Sequence, residues 1–164
     1  MLSLLIISTS LISCSETLKD TSDLLANLSK PKTSASKIDM MVYAEEDINV
    51  NASNEPTPVN FIILELKSDE KLYAQDYETL SGDIEKALGK SYINHEEYTV
   101  EPGKFVHVEQ FEVKKGTKYI AIVSAYRALD KAIWRASEKI ADKGEVYSIH
   151  TVLKDKVVSM EVKK

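Results

Sequence analysis

One cysteine in 164 residues, Cys14, excludes an internal disulfide and any zinc site built on paired thiolates. Histidine is almost as scarce. His95, His107 and His150 fall in separate segments, and none has a second ligand at helix or turn spacing. Five glycines and four prolines are too few for a collagen-like or low-complexity chain. Basic residues are outnumbered 21 to 26, and the net charge of -5 removes the positive footprint that nucleic acid requires. It removes equally the polybasic cluster that holds proteins on anionic membranes. There is no G-x-S-x-G, no H-E-x-x-H and no glycine-rich phosphate loop, and Ser124 and Ser148 lie in strand-like runs without an adjacent base. Glu45-Glu46-Asp47 and Glu96-Glu97 are acidic clusters, but neighbours on a strand point to opposite faces, so a solvated edge or loop explains them. No metal ligand set and no cofactor is implied.

The informative residues begin at the N-terminus. Met1–Ile12 (MLSLLIISTSLI) carries no charged side chain. As a helix it spans roughly 18 Å against about 30 Å of hydrocarbon, too short to cross a bilayer and the right size for the apolar part of a secretory signal. The Lys or Arg that should precede such a run is absent. Leu11-Ile12-Ser13-Cys14 resembles the bacterial lipobox, in which a small residue precedes a cysteine that is lipidated and becomes the first residue of the mature chain. Two or more acyl chains anchor stably, at about 0.8 kcal/mol per buried methylene. An ordinary signal peptide with an incidental cysteine, or a buried N-terminal helix, are the alternatives. Residue 15 is Ser, not the Asp that tends to retain enteric lipoproteins in the inner membrane, so the outer membrane is the expected destination.

The expected organisation is a signal at 1–13, a lipid anchor and flexible tether at 14–37, and a folded domain at 38–164. The tether is rich in Ser, Thr, Lys and Asp, and 30–37 has almost nothing to bury. In the domain, Ile38–Val50 reads as a first strand. Asn51–Pro58 (NASNEPTP) reads as a loop, because two prolines end strand pairing. Val59–Lys67 (VNFIILELK) reads as a strand whose centre is buried on both faces. Tyr73, Tyr77, Leu80, Ile84 and Leu88 make one apolar stripe, either a single helix or two short ones meeting near Ser81-Gly82. Gly89 stops it. Tyr92–Val100 and Phe105–Val113 flank a Pro102-Gly103 turn. Lys118–Tyr126, Val146–Leu153 and Val157–Val162 complete a set of short strands that suits a two-sheet sandwich.

Arg127–Asp142 (RALDKAIWRASEKIAD) is ambiguous. Leu129, Ile133, Ser137 and Ile140 fit a helix, and a loop followed by a strand at 133–140 is the alternative; the spacing favours the helix. Trp134 between Arg127 and Arg135 reads either as a partner-binding patch or as a core residue with the arginines paired to carboxylates at the rim.

The stretch IVSAYRALDKAIWR resembles the A-A-Y-R-D-L-D-x-A-x-W-R segment of the TssJ family, outer-membrane lipoproteins of the type VI secretion system. Pro58–Leu66 is similar to that family's P-V-x-V-R-I-Y-Q-L strand, Leu80 with Leu88-Gly89 to its helical segment, and Val100–Gly103 to its hydrophobic-x-Pro-Gly turn. Glu65, Ala121 and Ala128 depart from the pattern. The resemblance implies a mainly β, transthyretin-like two-sheet sandwich with a small helical insertion after the second strand. It implies loop and strand, not helix, over 127–140. It implies no enzymatic activity. It implies a periplasm-facing protein, held in the outer membrane by lipid on Cys14, that binds the periplasmic C-terminal domain of TssM in a membrane complex with TssL. Binding is implied for the loop between the first two strands, here Asn51, Ala52, Ser53, Asn54, Glu55, Pro56, Thr57 and Pro58, extended to Asn49. Tyr126, Arg127, Trp134 and Arg135 are the family-signature residues. A periplasmic sandwich lipoprotein that binds a small ligand or glycan, or inhibits a peptidase, is the competing expectation.

Overall fold

The computed structural model of the chain describes residues 34–164. Cys14 and the 1–33 part of the expected signal and tether lie outside the described residues.

Alternation of apolar and polar residues places the first strand. In β1 (Lys37–Ala44), Ile38, Met40, Val42 and Ala44 are fully buried, while Lys37, Asp39, Met41 and Tyr43 point away from the core. β1 pairs antiparallel with β4 (Phe105–Glu112) and parallel with β7 (Val146–Leu153), which pairs with β8 (Val158–Lys163). The second sheet runs β3-β2-β5-β6, all antiparallel, with β2 (Val59–Leu66), β3 (Tyr92–Val100), β5 (Tyr119–Ser124) and β6 (Arg135–Lys139). The inner faces meet over Ile38, Met40, Val42, Phe61, Ile122 and Ile149. This is the two-sheet sandwich that the resemblance implies.

β2 is buried on both faces, as its continuous apolar run predicts. Val59, Phe61 and Ile63 face the other sheet, and Leu64 and Leu66 face a helical layer. That layer follows β2 as three short helices, α1 (Glu70–Ala74), α2 (Tyr77–Gly82) and α3 (Ile84–Leu88). None is long enough to persist alone. Each is held by a leucine at or below 1% exposure (Leu72, Leu80 and Leu88), whose burial contributes about 2 kcal/mol apiece. The expected single stripe is broken twice. Asp76 and Asp83 take extended backbone angles and accept from the amides of Thr79 (2.7 Å) and Lys86 (3.0 Å), so each starts a new helix. The first anchor is Leu72 rather than Tyr73, which is 46% exposed.

Three boundaries differ from expectation. The first strand ends at Ala44 instead of Val50, because Glu45–Asn49 turns back under the sheets with Ile48 fully buried. The domain begins before Ile38. Ala35 bridges Lys143, and Ser36 is fully buried with its carbonyl accepting from the Val113 amide at 2.8 Å. Residues 127–140 form a 3-10 turn (Leu129–Lys131) and then β6, not a helix. The Ala136 and Ser137 backbones complete the edge of β5, opposite Ile122 and Ala121.

Strand directions put four connections at one end of the sandwich: 45–58, the Glu101–Lys104 turn, 125–134 and the β7–β8 hairpin. The chain enters at the opposite end, through Ala35 and Lys37. β1 spans about 26 Å between the two ends.

Candidate functional site

The loop between β1 and β2 is a built structure. Ile48 anchors it in the core. Asn49 follows in the left-handed region (φ 54°), which asparagine tolerates better than branched residues. Its side chain, 7% exposed, ties three segments together. Nδ2 donates to Thr57 Oγ1 (3.1 Å) and to the Pro58 carbonyl (2.8 Å), and Oδ1 accepts from the Arg127 amide (2.8 Å). Thr57 Oγ1 donates back to the Asn49 carbonyl at 2.5 Å and accepts from Arg127 Nε at 3.2 Å. With the polar groups paired, the loop base is fixed to both the β2 start and the β5–β6 connection.

The tip is closed by Asn51. Its Oδ1 accepts from the amides of Ser53 (2.9 Å) and Glu55 (3.0 Å), its Nδ2 donates to Glu55 Oε2 (3.0 Å), and its own amide donates to the Glu55 carbonyl (2.9 Å). Asn54 at φ 61° completes the reversal. Ala52, Ser53, Asn54, Glu55, Pro56 and Pro58 are exposed, and Asn51 and Thr57 are half-buried. The expected loop residues therefore divide into a bonded frame (Asn51, Thr57) and a presented surface. Asn49 is expected only as a boundary of the loop, and Ile48 only as part of the first strand. An asparagine between two apolar residues, in Ile48-Asn49-Val50, is the available signal for both.

The four signature residues are not one site. Tyr126 is 3% exposed and Arg127 is exposed, fastened to the loop as above. Trp134 is half-buried at the edge where the inter-sheet core meets the helical layer, edge-on to Tyr77 with ring centroids 5.4 Å apart. The Arg135 guanidinium lies 4.2 Å from the Trp134 ring and 5.4 Å from that of Tyr73. Nη1 donates to the carbonyls of Leu72 (2.8 Å) and Gln75, and Nη2 to that of Tyr73 (3.0 Å). These carbonyls end α1, where no helical amide reaches them. Burial lowers the Arg135 pKa from its usual value. Among the described residues no carboxylate pairs with either arginine as the rim reading expects: Arg127 holds a hydroxyl of the loop, and Arg135 holds carbonyls of the helical layer. Trp134 fills the seam between layers rather than the centre of the sandwich.

Glu65 is 3% exposed at the far end of β2. Its Oε2 accepts from the Lys114 amide (2.7 Å) and Thr117 Oγ1 (2.9 Å), and Oε1 from Asn94 Nδ2 (3.4 Å). This is a structural clasp on the β4–β5 turn. Among the described residues no three His, Cys, Asp or Glu side chains converge as metal ligands. His107 instead bonds Asp39 at 2.7 Å on the outer face of β4 and β1. A wide-mouthed cleft of about 480 Å³ lies between α2 and the outer face of β2 and β3, with Asn60, Ile62, Ser81, Glu97 and Thr99 in its lining. Its open, polar walls differ from the concave apolar pockets that bury small molecules.

The family model of the type VI secretion lipoprotein (VasD, EvfM, TssJ) matches residues 36–163. The type VI lipoprotein TssJ1 from Pseudomonas aeruginosa has a similar structure, with a TM-score of 0.73 at 21% identity over 79% of this chain and 98% of that one. Lip from Serratia marcescens, a membrane-bound component of the type VI secretion system, gives 0.68 at 20% identity over 76% and 96%. A chain of a type VI membrane complex gives 0.67 at 18% identity over 76% and 97%. At these identities the structural likeness establishes the fold. No curated protein matches.

Proposed function

The chain belongs to the type VI secretion lipoprotein family that includes TssJ, and we propose that it acts as a lipid-anchored periplasmic adaptor that binds the periplasmic C-terminal domain of TssM. In this reading Met1–Ser13 directs export and Cys14 carries the acyl chains that hold the protein in the outer membrane. Residues 15–34 then supply reach, up to about 70 Å if fully extended. The sandwich presents the β1–β2 loop to TssM, which with TssL completes the membrane complex. The role is structural and includes no chemistry.

One observation carries the proposal. The exposed tip at 52–56 stands on a base locked by Asn49, at the end of the domain opposite the chain's entrance at Ala35. An anchor at one end and a rigid surface at the other suit a bridge between two membranes. A loop whose frame is already bonded loses little conformational entropy on docking. Replacing Asn51–Glu55 by two glycines keeps Ile48, Asn49 and Thr57. The expected result is loss of TssM co-purification with cooperative melting retained. Retained binding refutes the assignment of the loop.

A further inference from the structure

Six large apolar side chains stand exposed among the described residues: Tyr43, Tyr73, Phe105, Ile133, Val146 and Val157. Single ones are ordinary on a protein surface, whereas apolar neighbours that share a patch mark contact sites. Two of the six stand apart. Val146 is at the entrance end, opposite Lys37. Tyr73 is engaged by the Arg135 guanidinium 5.4 Å away and by Ser137 Oγ at 3.2 Å. The other four form two pairs, and both pairs lie at the end that carries the β1–β2 loop. In the first, Phe105 opens β4 directly after the Glu101–Lys104 turn and is 65% exposed. It stands opposite Tyr43 across the β1–β4 ladder, so both rings are on the outer face of the first sheet, and half-buried Val152 continues the row on β7. The helical layer packs on the other sheet, and these rings have no cover among the described residues. In the second pair, Ile133 of the β5–β6 connection is bridged to Val157 of the β7–β8 hairpin. The Ile133 amide donates to the Lys156 carbonyl (2.7 Å), and the Val158 amide to the Ile133 carbonyl (2.9 Å). Branched side chains on a backbone bonded in this way lose little freedom when they are covered.

From these two pairs we infer that TssM meets the domain through an apolar face that straddles the loop tip, covering Tyr43 and Phe105 on one flank and Ile133 and Val157 on the other. The inference rests on the reading that this end docks TssM, and it assigns most of the affinity to the flanks rather than to the tip. The tip offers Ser53, Asn54 and Glu55, whose polar groups exchange water for a partner at little net gain. Covering aromatic and branched apolar side chains releases water with no such exchange, and aromatic anchors dominate measured interfaces. Charge selects no partner here. The exposed charges of the flanking connections come in both signs: Glu101 with Lys104, Asp130 with Lys131, Asp155 with Lys156. The tip then fixes orientation, and the two apolar flanks hold.

The test uses the full chain in lipid nanodiscs and the periplasmic domain of its cognate TssM, with calorimetry at several temperatures and two salt concentrations. Phe105→Thr and Ile133→Thr keep a strand-forming residue and remove apolar surface. Each is expected to bind about tenfold more weakly, and the double variant about a hundredfold, because the flanks are separate. The heat-capacity change of binding becomes less negative in each, and the salt dependence stays as in wild type. Both melt within about 3 °C of wild type, as surface substitutions do. Val146→Thr, an equally exposed site at the entrance end, is expected to bind as wild type does. Wild-type affinity in both flank variants overturns the inference and leaves the loop reading standing. An equal loss in Val146→Thr overturns it too, since the effect then has no place on the surface. Self-association of the wild-type chain that either flank variant abolishes makes a second copy the occupant and overturns it. Failure of wild type to bind TssM overturns the docking reading and this inference with it.

Discussion

Replacing Arg135 by alanine removes the side chain that fastens the helical layer to the edge of the second sheet. In the native domain its guanidinium serves the Leu72, Tyr73 and Gln75 carbonyls and lies 4.2 Å from the Trp134 ring. A hydrogen bond from a charged donor contributes about 1.5–3 kcal/mol, and a cation–π contact about 0.5–2 kcal/mol. These terms share one side chain and are not additive. The carbonyls near the rim also recover water. A net loss of about 3 kcal/mol follows for Arg135→Ala. A domain of this size loses about 3–4 °C per kcal/mol, so the melting temperature falls by about 10 °C. Arg135→Lys keeps the charge and the alkyl stem but has no planar fork to span three acceptors, and it is expected to lose about half as much. Urea unfolding followed by circular dichroism gives both values. Native-state hydrogen exchange locates the effect: amides of α1 to α3 should exchange faster in Arg135→Ala, while those of β1 and β7 keep their rates relative to global unfolding. Arg135→Ala within about 0.5 kcal/mol of wild type, or a lysine variant as damaging as the alanine one, refutes the reasoning.

Two further predictions concern buried or capping carboxylates. Glu65 is 3% exposed, and the three donors it serves are neutral. Glu65→Gln keeps an acceptor for the Lys114 amide and Thr117 hydroxyl and takes a charge out of the interior, so at neutral pH it should unfold at the wild-type urea midpoint or above. Glu65→Ala strands both donors and should cost about 3 kcal/mol; a glutamine variant as unstable as the alanine one would sink this account. Asp76 is held below its usual 3.8 by the Thr79 amide. Its folded pKa is depressed, so its contribution is present above the unfolded value and is lost as pH falls through the folded one. Asp76→Asn can still cap α2 but does not titrate. The gap in melting temperature between wild type and this variant should therefore narrow on acidification below about pH 4, and a gap that is flat with pH contradicts the capping role.

What could be read without coordinates was local. The runs Tyr92–Val100 and Val146–Leu153 are strands over the expected residues, because alternation and β-branched side chains act over neighbouring positions. Pro102-Gly103 marks a turn because Gly103 takes φ 68° with the Lys104 amide on the Glu101 carbonyl at 3.1 Å. The exposed loop at 51–58 is legible from its prolines and the lack of anything to bury. Residues 127–140 misled the pattern. Leu129, Ile133, Ser137 and Ile140 have helical spacing, yet Ile133 is 61% exposed and bridges Val157, and the strand that follows satisfies the open edge of β5. Helical propensity is a small term beside a row of backbone bonds to a waiting strand.

The sequence by itself determined seven of the eight strands, the two-faced burial of β2, the helical insertion and the presence of a polar loop between the first two strands. Each of these follows from side-chain period or from proline and glycine, which constrain the backbone wherever they stand. The tertiary structure alone decided that β1 lies parallel to β7, more than a hundred residues away, and that the loop and the chain's entrance sit at opposite ends. It decided too that Asn49 meets Arg127, and that Arg135 meets the carbonyls of α1. Backbone donors and acceptors are the same in every strand and every helix end. A sequence therefore states that such groups must be paired, while only packing in three dimensions selects which ones meet.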